Sequence, residues 1–187
     1  MLPDSGVFVT GDFRLEHLYI LKEFSGDRDM KRVYDEGYLD GDIHQFTANE
    51  MNIPRKLAKT INYAIVYGAT AKTVSEQTKI RDIRRSEKFL EDWFRIFKGA
   101  SDWIAHAQKE GLRDGWALPT VFNRRIRLPE EGDDAMKRKA VNYPILGSDG
   151  EIIKRAIILS NHRRLGPAVM AITVHDSITW DGYAEKE

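Results

Sequence analysis

The segment that most constrains this chain is RKLAKTINYAIVYGAT, which begins at Arg55. Two cations and two phenols recur in it at every fourth position: Arg55, Lys59, Tyr63 and Tyr67. Four residues turn an α-helix by about 400°, so these side chains lie along one slowly winding face. The apolar residues between them can pack the opposite side. The segment is therefore predicted to form an amphipathic helix that ends at Gly68.

This stripe of side chains is open to two interpretations. Cations at one end and aromatic rings at the other suit a ligand with a polyanionic head and a flat tail, which describes a nucleoside triphosphate. The alternative is an ordinary surface helix, with two cations that extend into water and two half-buried tyrosines. The segment alone does not decide between them.

Composition limits the classes of protein that fit. The chain has 187 residues, of which 42% are apolar and 31% charged, as in a folded globular protein. Its longest strongly apolar run, AVMAITV, is too short to span a membrane, and no secretory signal is expected. The absence of cysteine excludes disulfides and thiolate metal sites and fits a cytoplasmic location. A net charge of zero argues against a nucleic-acid packaging protein.

The order of the predicted elements indicates the fold class. GVFVTGD is expected to form a strand that ends at Asp12, and AVMAITV and SITWDG two strands that join near His175 and Asp176. WALPTVFNRRIRLP is expected to form a hairpin with a basic tip. Helices are predicted at residues 15–24, 42–51, 55–67, 82–97, 101–112, 135–142 and 149–165. This mixture of segregated strands and helices is an α+β pattern.

Two aspartates stand at strand ends and suggest a metal site. If the strands of Asp12 and Asp176 are neighbours in one sheet, the two carboxylates can face each other at its rim. They would repel each other unless a divalent cation lay between them. Oxygen ligands favour Mg²⁺ or Mn²⁺, and two such ions about 4 Å apart can activate an attacking oxygen and stabilise a leaving one. Either aspartate alone is more often a turn former or a helix cap.

Three segments together resemble one family. VTGDF, RKLAKTINYAIVYGAT and ITVHDSITWD look like motifs A, B and C of the family A DNA polymerases, in the same order. GDIHQFTANEM, NRRIRLP and KRKAVNYPILGSDGEIIKRAI also resemble segments of that family. The resemblance implies a polymerase palm with a small antiparallel sheet and a helical fingers subdomain. The palm would comprise residues 1–45 and 133–187, with the motif C hairpin at 168–181, and the fingers residues 46–132.

The resemblance also implies which residues bind metal and nucleotide. Asp12 and Asp176 would be catalytic and would hold two Mg²⁺ ions, with Mn²⁺ as an alternative and the carbonyl of Phe13 assisting. Triphosphate contacts are implied for three residues: Arg55, Lys59 and His44. Tyr63 would pack against the sugar and base of an incoming dNTP, and Tyr67 would guard the template position.

Contacts with a DNA primer-template are implied for four further residues: Arg125, Arg138, Asn142 and His175. The arginine cluster of the hairpin could equally be a solvated surface, although clustered arginines favour phosphate. The chain departs from the family pattern after motif A, because Glu16 stands four residues after Asp12 and His17 stands five. The family has a glutamate at the fifth position, which crowds a ribose 2′-hydroxyl. Glu16 remains a nucleotide-binding candidate, and sugar selection stays open.

The function implied is template-directed DNA synthesis, in which a nucleotide passes from a dNTP to a primer 3′-hydroxyl. The chain begins just before motif A and stops just after motif C, so the thumb and exonuclease are expected to be absent or supplied by another polypeptide. Motif C carries Ser177 in place of a glutamate, and Leu146 stands where glutamine is common. An alternative is therefore a non-catalytic module that binds primer-template or nucleotide. A metal phosphohydrolase is weaker, because too few His and Asp residues cluster.

Overall fold

The computed structural model describes residues 6–13, 16–80, 82–163 and 169–183. Its strands are β1 (Gly6–Asp12), β2 (Val169–Val174) and β3 (Ser177–Tyr183). They form an antiparallel sheet in the order β1-β3-β2, so the first strand pairs with the last. The three predicted strands are confirmed. Since helices make up most of the remaining described residues, the predicted α+β class is confirmed as well.

The helices of the described residues are α1 (Glu16–Ser25), α2 (Arg28–Tyr34), α3 (Ile43–Met51), α4 (Arg55–Val66), α5 (Ala71–Thr78), α6 (Ile83–Ile96), α7 (Lys98–Asp114) and α8 (Asp133–Arg163). A short 3₁₀ helix covers Tyr38–Gly41. None of these helices is both long enough and apolar enough to cross a membrane.

The chain divides into two compact units. One comprises residues 1–16 and 147–187 and holds the sheet. The other comprises residues 17–146 and holds α2 to α7. The palm and fingers boundaries given above are a different division of the chain, and they remain a prediction.

Helix α4 forms as its sequence predicts. Its apolar side is buried, with Ala58, Ile61 and Val66 fully excluded from solvent. After Val66 the chain leaves the helix through Gly68, whose φ of 69° is a left-handed conformation that favours glycine. The charged and phenolic stripe is left on the other side of the helix, where the candidate site lies.

Two helices differ from the prediction at the position of Gly99. A break at Gly99 and a cap at Ser101 were expected, but α7 begins at Lys98 and includes both residues. Gly99 serves a close approach instead, because a Cβ there would lie 2.8 Å from the Cα of Asp27. The Asp27 carboxylate accepts a hydrogen bond from the Ala100 N–H at 3.2 Å. Asp27, the N-cap residue of α2, thus also accepts from one of the free N–H groups at the start of α7.

Helix α8 is continuous where two helices were predicted. Pro144 lies inside it and removes one backbone hydrogen bond, which costs about 3 kcal/mol in a helix interior. Val141 and Ile145 are fully buried. Burial of each such side chain contributes about 1.5–3 kcal/mol, so tertiary packing offsets the local cost of the proline.

The remaining differences are short elements. Two helices were not predicted: α2, whose N-terminal N–H groups are capped by Asp27, and α5, which is capped by Thr70. The predicted hairpin at 116–129 follows a hairpin path, with a single β-bridge between Trp116 and Arg127. Pro119 lacks an N–H for ladder pairing, which fits the absence of regular strands in this described segment.

Helices α7 and α8 are packed closely at Gly111, and this contact yields a stability prediction. A Cβ at Gly111 would lie 2.6 Å from the Ala140 Cβ and 3.0 Å from the Leu128 side chain. Gly111→Ala is therefore expected to lower the free energy of unfolding by about 1–3 kcal/mol, through overpacking. Gly150→Ala is the matched control, since Gly150 is also helical and has nothing within 4 Å. Denaturant unfolding should show the control to be neutral or stabilised; equal loss in both variants would contradict the packing.

Candidate active site

The two strand-end aspartates occupy one end of a paired-strand ladder. Asp12 pairs with Ser177 in the β1–β3 register. The Phe13 N–H donates a hydrogen bond of 3.1 Å to the Asp176 carbonyl oxygen. The neighbouring-strand arrangement expected for Asp12 and Asp176 is thus confirmed at the level of the backbone. The sharing of metal ions by their carboxylates remains a prediction.

Asp12 and Asp176 also act electrostatically on Glu16. Its side chain is buried, and no donor of the described residues is hydrogen-bonded to its carboxyl oxygens. Burial and the nearby carboxylates of Asp149, Asp176 and Asp12 raise the pKa of Glu16 to about 8. Glu16 and Asp149 can hydrogen-bond to each other only when one of them carries a proton. Three aspartates of this unit thus act electrostatically on Glu16.

This concentration of negative charge fits a divalent cation. A buried carboxyl group without a donor is costly, and a cation would compensate it. Within the described part of the chain, however, no three His, Asp or Glu side chains converge to form a complete coordination set. Carboxylate oxygens are the ligands that Mg²⁺ prefers, so these side chains suit a cation by their chemistry, and a shared metal site remains a prediction.

In the other unit, the cationic end of α4 is held by Asp42. The Arg55 Nε donates to Asp42 at 2.8 Å, and the other Asp42 oxygen caps α3 by accepting from the His44 and Gln45 N–H groups. Partial burial opposes ionisation of Asp42, but hydrogen bonds from Arg55 and from the backbone outweigh it and lower the pKa of this carboxyl group. Arg55 is thus oriented and still about half exposed. Lys59 is exposed and forms no ion pair within the described residues.

The two tyrosines continue the stripe. The rings of Tyr63 and Tyr67 are nearly parallel, with centroids 6.4 Å apart and planes at 17°. The Tyr67 hydroxyl lies 3.0 Å from the His17 Nδ1, and the two rings meet edge to face. His17, which stands where the family has its glutamate, therefore contacts the phenol at the end of α4.

His44 lies beside the same stripe, although it comes from α3. Its ring centroid is 5.5 Å from that of Tyr63, and only 1% of the residue is exposed. Arg55 and Lys59 act on it electrostatically. The structure thus brings together the three residues predicted to contact triphosphate with the two tyrosines.

The residues predicted to contact DNA lie in three places. Asn142 on α8 donates to the Tyr67 carbonyl oxygen at 3.2 Å, and a Cβ at Gly68 would lie 3.0 Å from the Arg138 Cα. These two residues therefore pack at the end of α4, where Arg138 also lines a cavity of about 390 Å³. Arg125 lies on the hairpin with its guanidinium 5.1 Å from the Trp116 ring centroid. His175 is exposed at the β2–β3 turn, with φ 52°.

Three residues contact the candidate site residues or support their helices, and these contacts were not predicted from the sequence. Asp149 gave no local signal, because it approaches Glu16 only through the fold. Asn62 and Trp93 form a buried hydrogen bond of 2.7 Å between α4 and α6. A polar residue on the apolar side of α4 was the available signal for Asn62. Trp93 is fully buried, and its hydrogen bond gave no signal in the sequence.

Comparison with known proteins decides the family. Residues 1–186 match the model of DNA polymerase family A. This chain belongs to DNA polymerase family A. The thermostable DNA polymerase I of Thermus filiformis is 31% identical over 189 residues, which cover 92% of this chain and 22% of that protein. The thermostable DNA polymerase I of Thermus aquaticus is 30% identical, over 96% of this chain and 23% of that protein.

A solved structure of the family agrees with the fold. It is the POL domain of Pol1 from M. smegmatis in complex with DNA primer-template and dNTP, with a TM-score of 0.82 and 25% identity. The match covers 95% of this chain and 34% of that chain. The resemblance seen in motifs A, B and C is thus confirmed. This family A chain spans less than a quarter of the length of the two Thermus relatives.

Proposed function

We propose that this chain carries out template-directed DNA synthesis. In that reaction the primer 3′-oxygen attacks the α-phosphorus of a dNTP, the bond from that phosphorus to the bridging oxygen breaks, and pyrophosphate leaves with the proton passing to solvent. The observation that carries the proposal is the pairing of β1 with β3, which places Asp12 next to the Asp176–Ser177 segment. Family membership and the stripe on α4 support it.

Asp12 and Asp176, with the Phe13 carbonyl, are the residues that would hold two Mg²⁺ ions, or Mn²⁺. When bound, such ions supply charge neutralisation at the reacting phosphate and polarise its oxygens. Burial and the nearby carboxylates favour the protonated form of Glu16, and a bound cation would favour its ionised form as a further oxygen ligand. Glu16 also remains our candidate for a contact near the sugar of the nucleotide.

The stripe on α4 would bind the nucleotide. Lys59 is free of ion pairs within the described residues, so it can donate to phosphate without first breaking one. Arg55 is aimed by Asp42 and keeps further guanidinium donors for phosphate. Tyr63 would pack against the sugar and base, and Tyr67 would occupy the template position. Positioning and charge neutralisation would supply the catalysis.

Contacts with the primer-template are proposed for Arg125, Arg138, Asn142 and His175. The first two are cationic and suited to phosphate. The amide oxygen of Asn142 is buried and has no hydrogen-bond partner among the described residues, so a contact with a base or sugar edge would require its side chain to turn outward. In this proposal residues 1–45 and 133–187 are the palm and residues 46–132 the fingers. A polypeptide that carries a thumb or an exonuclease is a further proposed partner.

The second candidate is a non-catalytic module that binds primer-template or nucleotide. It is favoured by the incomplete coordination set in the described residues and by Ser177, whose hydroxyl donates to the Val174 carbonyl and closes the turn. Motif C of the family has a glutamate at this position, so the serine leaves this chain with one carboxylate fewer.

One experiment distinguishes the two candidates. The purified chain is incubated with a labelled primer-template, dNTPs and Mg²⁺ or Mn²⁺, and extension and DNA binding are measured together. Extension that is lost in Asp12→Asn supports synthesis. Salt-dependent binding without extension, even with the thumb segment supplied separately, supports the binding module. Extension that survives replacement of both aspartates would overturn the proposed mechanism.

Tyr63 yields a prediction about sugar selection. The 3′-hydroxyl of a dNTP can hydrogen-bond to its own phosphate oxygens, and a dideoxynucleotide lacks that donor. The phenol of Tyr63 can replace it, whereas a phenyl ring cannot. A hydrogen bond to a charged group is worth about 1.5–3 kcal/mol, so Tyr63→Phe should increase discrimination against dideoxynucleotides by about 10- to 100-fold. Competition between the two nucleotides measures this ratio; equal ratios for wild type and variant would show that Tyr63 does not face the sugar.

A further inference from the structure

A buried chain of hydrogen bonds links three helices of the unit formed by residues 17–146. The Trp93 indole N–H on α6 donates to the Asn62 Oδ1 at 2.7 Å. The Thr47 hydroxyl on α3 lies 3.1 Å from both ends of the same amide and donates to the Ile43 carbonyl at 2.8 Å. The Asn62 amide Nδ2 lies 2.9 Å from the His44 Nδ1. Asn62, Thr47 and Trp93 are fully buried, so these contacts are not exchanged with water.

The orientation of the Asn62 amide follows from Trp93. An indole N–H can only donate, so the amide atom that faces it has to be the oxygen. The amide nitrogen then faces the His44 Nδ1. That nitrogen is itself only a donor, so the His44 Nδ1 has to accept and cannot carry a proton. In the neutral ring the proton is therefore on Nε2.

The His44 Nε2 has a different environment. It is buried, and no acceptor among the described residues is hydrogen-bonded to it. The charged groups that act on the ring are Asp42, Arg55 and Lys59. A buried N–H donor without an acceptor is costly, and beside two cations an anionic oxygen would satisfy it best.

We propose that Asn62, held by Trp93, is a positioning residue that fixes His44 as the Nε2–H tautomer, so that His44 presents a neutral donor to a phosphate oxygen of the nucleotide. That the acceptor is a nucleotide phosphate rests on the function proposed above. The assignment of the His44 tautomer rests only on the hydrogen bonds of Asn62 and Trp93.

The same contacts explain why the ring stays neutral. An imidazolium would bring a second N–H against the Asn62 NH₂ group. Burial lowers the pKa of His44 to about 4; Asp42 opposes this shift, and Arg55 and Lys59 add to it. The donor should therefore be present without titration between about pH 5 and 8, the range in which an ordinary histidine changes charge.

The test is ¹⁵N NMR of the whole chain with labelled histidine, which distinguishes protonated from unprotonated ring nitrogens. His44→Gln assigns its signals among the five histidines. In the wild type we expect an unprotonated Nδ1 and a protonated Nε2, with no titration between about pH 5 and 8. A protonated Nδ1 in this range would overturn the proposal.

Two variants test the cause. In Trp93→Phe the Asn62 amide can rotate, so the Nδ1–H tautomer of His44 should appear. Trp103→Phe is the matched control, since the Trp103 indole stacks on Phe24 and lies outside this network.

In Asn62→Asp the new carboxylate accepts a hydrogen bond from the His44 Nδ1–H, so the His44 ring should titrate between about pH 5 and 8. Asn49→Asp, at an exposed site on α3, is the control for the added charge. Unchanged His44 signals in both test variants would contradict the proposed role of Asn62.

Nucleotide affinity gives the functional readout. In Asn62→Asp at high pH the Nε2 becomes an acceptor, and loss of a hydrogen bond to a charged group should weaken dNTP binding by about tenfold or more. Binding should recover as the ring gains a proton at lower pH, unlike in the wild type.

If the wild type shows the expected tautomer but binds no dNTP, the proposed function fails and the tautomer assignment stands. If dNTP binds without changing the Nε2 signal, the phosphate contact of His44 is wrong.

Discussion

Replacing Asp176 with asparagine is expected to lower the rate of primer extension at saturating dNTP by at least about 100-fold. The substitution keeps the shape of the side chain and removes the charge that would hold a cation at the reacting phosphate. Loss of several kcal/mol of transition-state stabilisation corresponds to that factor, because each 1.4 kcal/mol is tenfold in rate. The rate of single-nucleotide incorporation measures it.

Asp181→Asn is the control for this prediction. Asp181 lies on β3, the strand that follows Asp176, where it pairs with Phe8 and Val169 away from the β2–β3 turn. It should extend primers at the wild-type rate. Similar rates for Asp176→Asn and Asp181→Asn would show that the Asp176 carboxylate has no part in the reaction.

Replacing Lys59 with alanine is expected to raise the dNTP concentration needed for half-maximal incorporation by about 10- to 100-fold. A charge-assisted hydrogen bond to phosphate is worth about 1.5–3 kcal/mol. Lys59 is exposed on the stripe and has no ion pair among the described residues, so its ammonium group can bind the nucleotide phosphate without breaking one. Titration of dNTP in a single-incorporation assay, with primer-template affinity measured in parallel, checks this.

Lys56→Ala provides the matched control, since Lys56 is exposed on the same helix and stands outside the four-residue repeat. It should leave dNTP use unchanged. The assignment of Lys59 is wrong if its loss weakens primer-template binding and leaves dNTP use intact.

Local sequence patterns were sufficient to predict those helices and strands whose signals lie within the element itself. The four-residue repeat from Arg55 to Tyr67 predicted α4. The helix predicted at residues 42–51 starts at Asp42, whose side chain caps α3 over two or three residues. The three strands were predicted for the same reason, since alternation and turn residues lie close together in sequence. The placement of the four side chains of the repeat along one helix could therefore be predicted from the sequence, and their contact with a nucleotide remains a prediction.

Local patterns failed where distant residues decide the structure. Gly99 was expected to end a helix, but it lies inside α7 and allows the close approach of Asp27, the N-cap residue of α2. Two helices were expected at residues 135–142 and 149–165, but α8 is continuous through Pro144, whose neighbours are buried. The approach of Asp149 to Glu16 and the bonds from Trp93 through Asn62 to His44 likewise depend on packing between helices. No spacing in the sequence contains that information.

The most direct test of the central claim is single-nucleotide incorporation by the purified chain on templates that differ only in the first unpaired base. Each dNTP is offered alone, with Mg²⁺ or Mn²⁺, to the wild type and to Asp176→Asn. We expect the wild type to add the nucleotide complementary to the template base, to require the divalent cation, and to lose this activity in the variant. Incorporation that ignores the template base, or the absence of incorporation with the thumb segment supplied, would contradict template-directed synthesis by this chain.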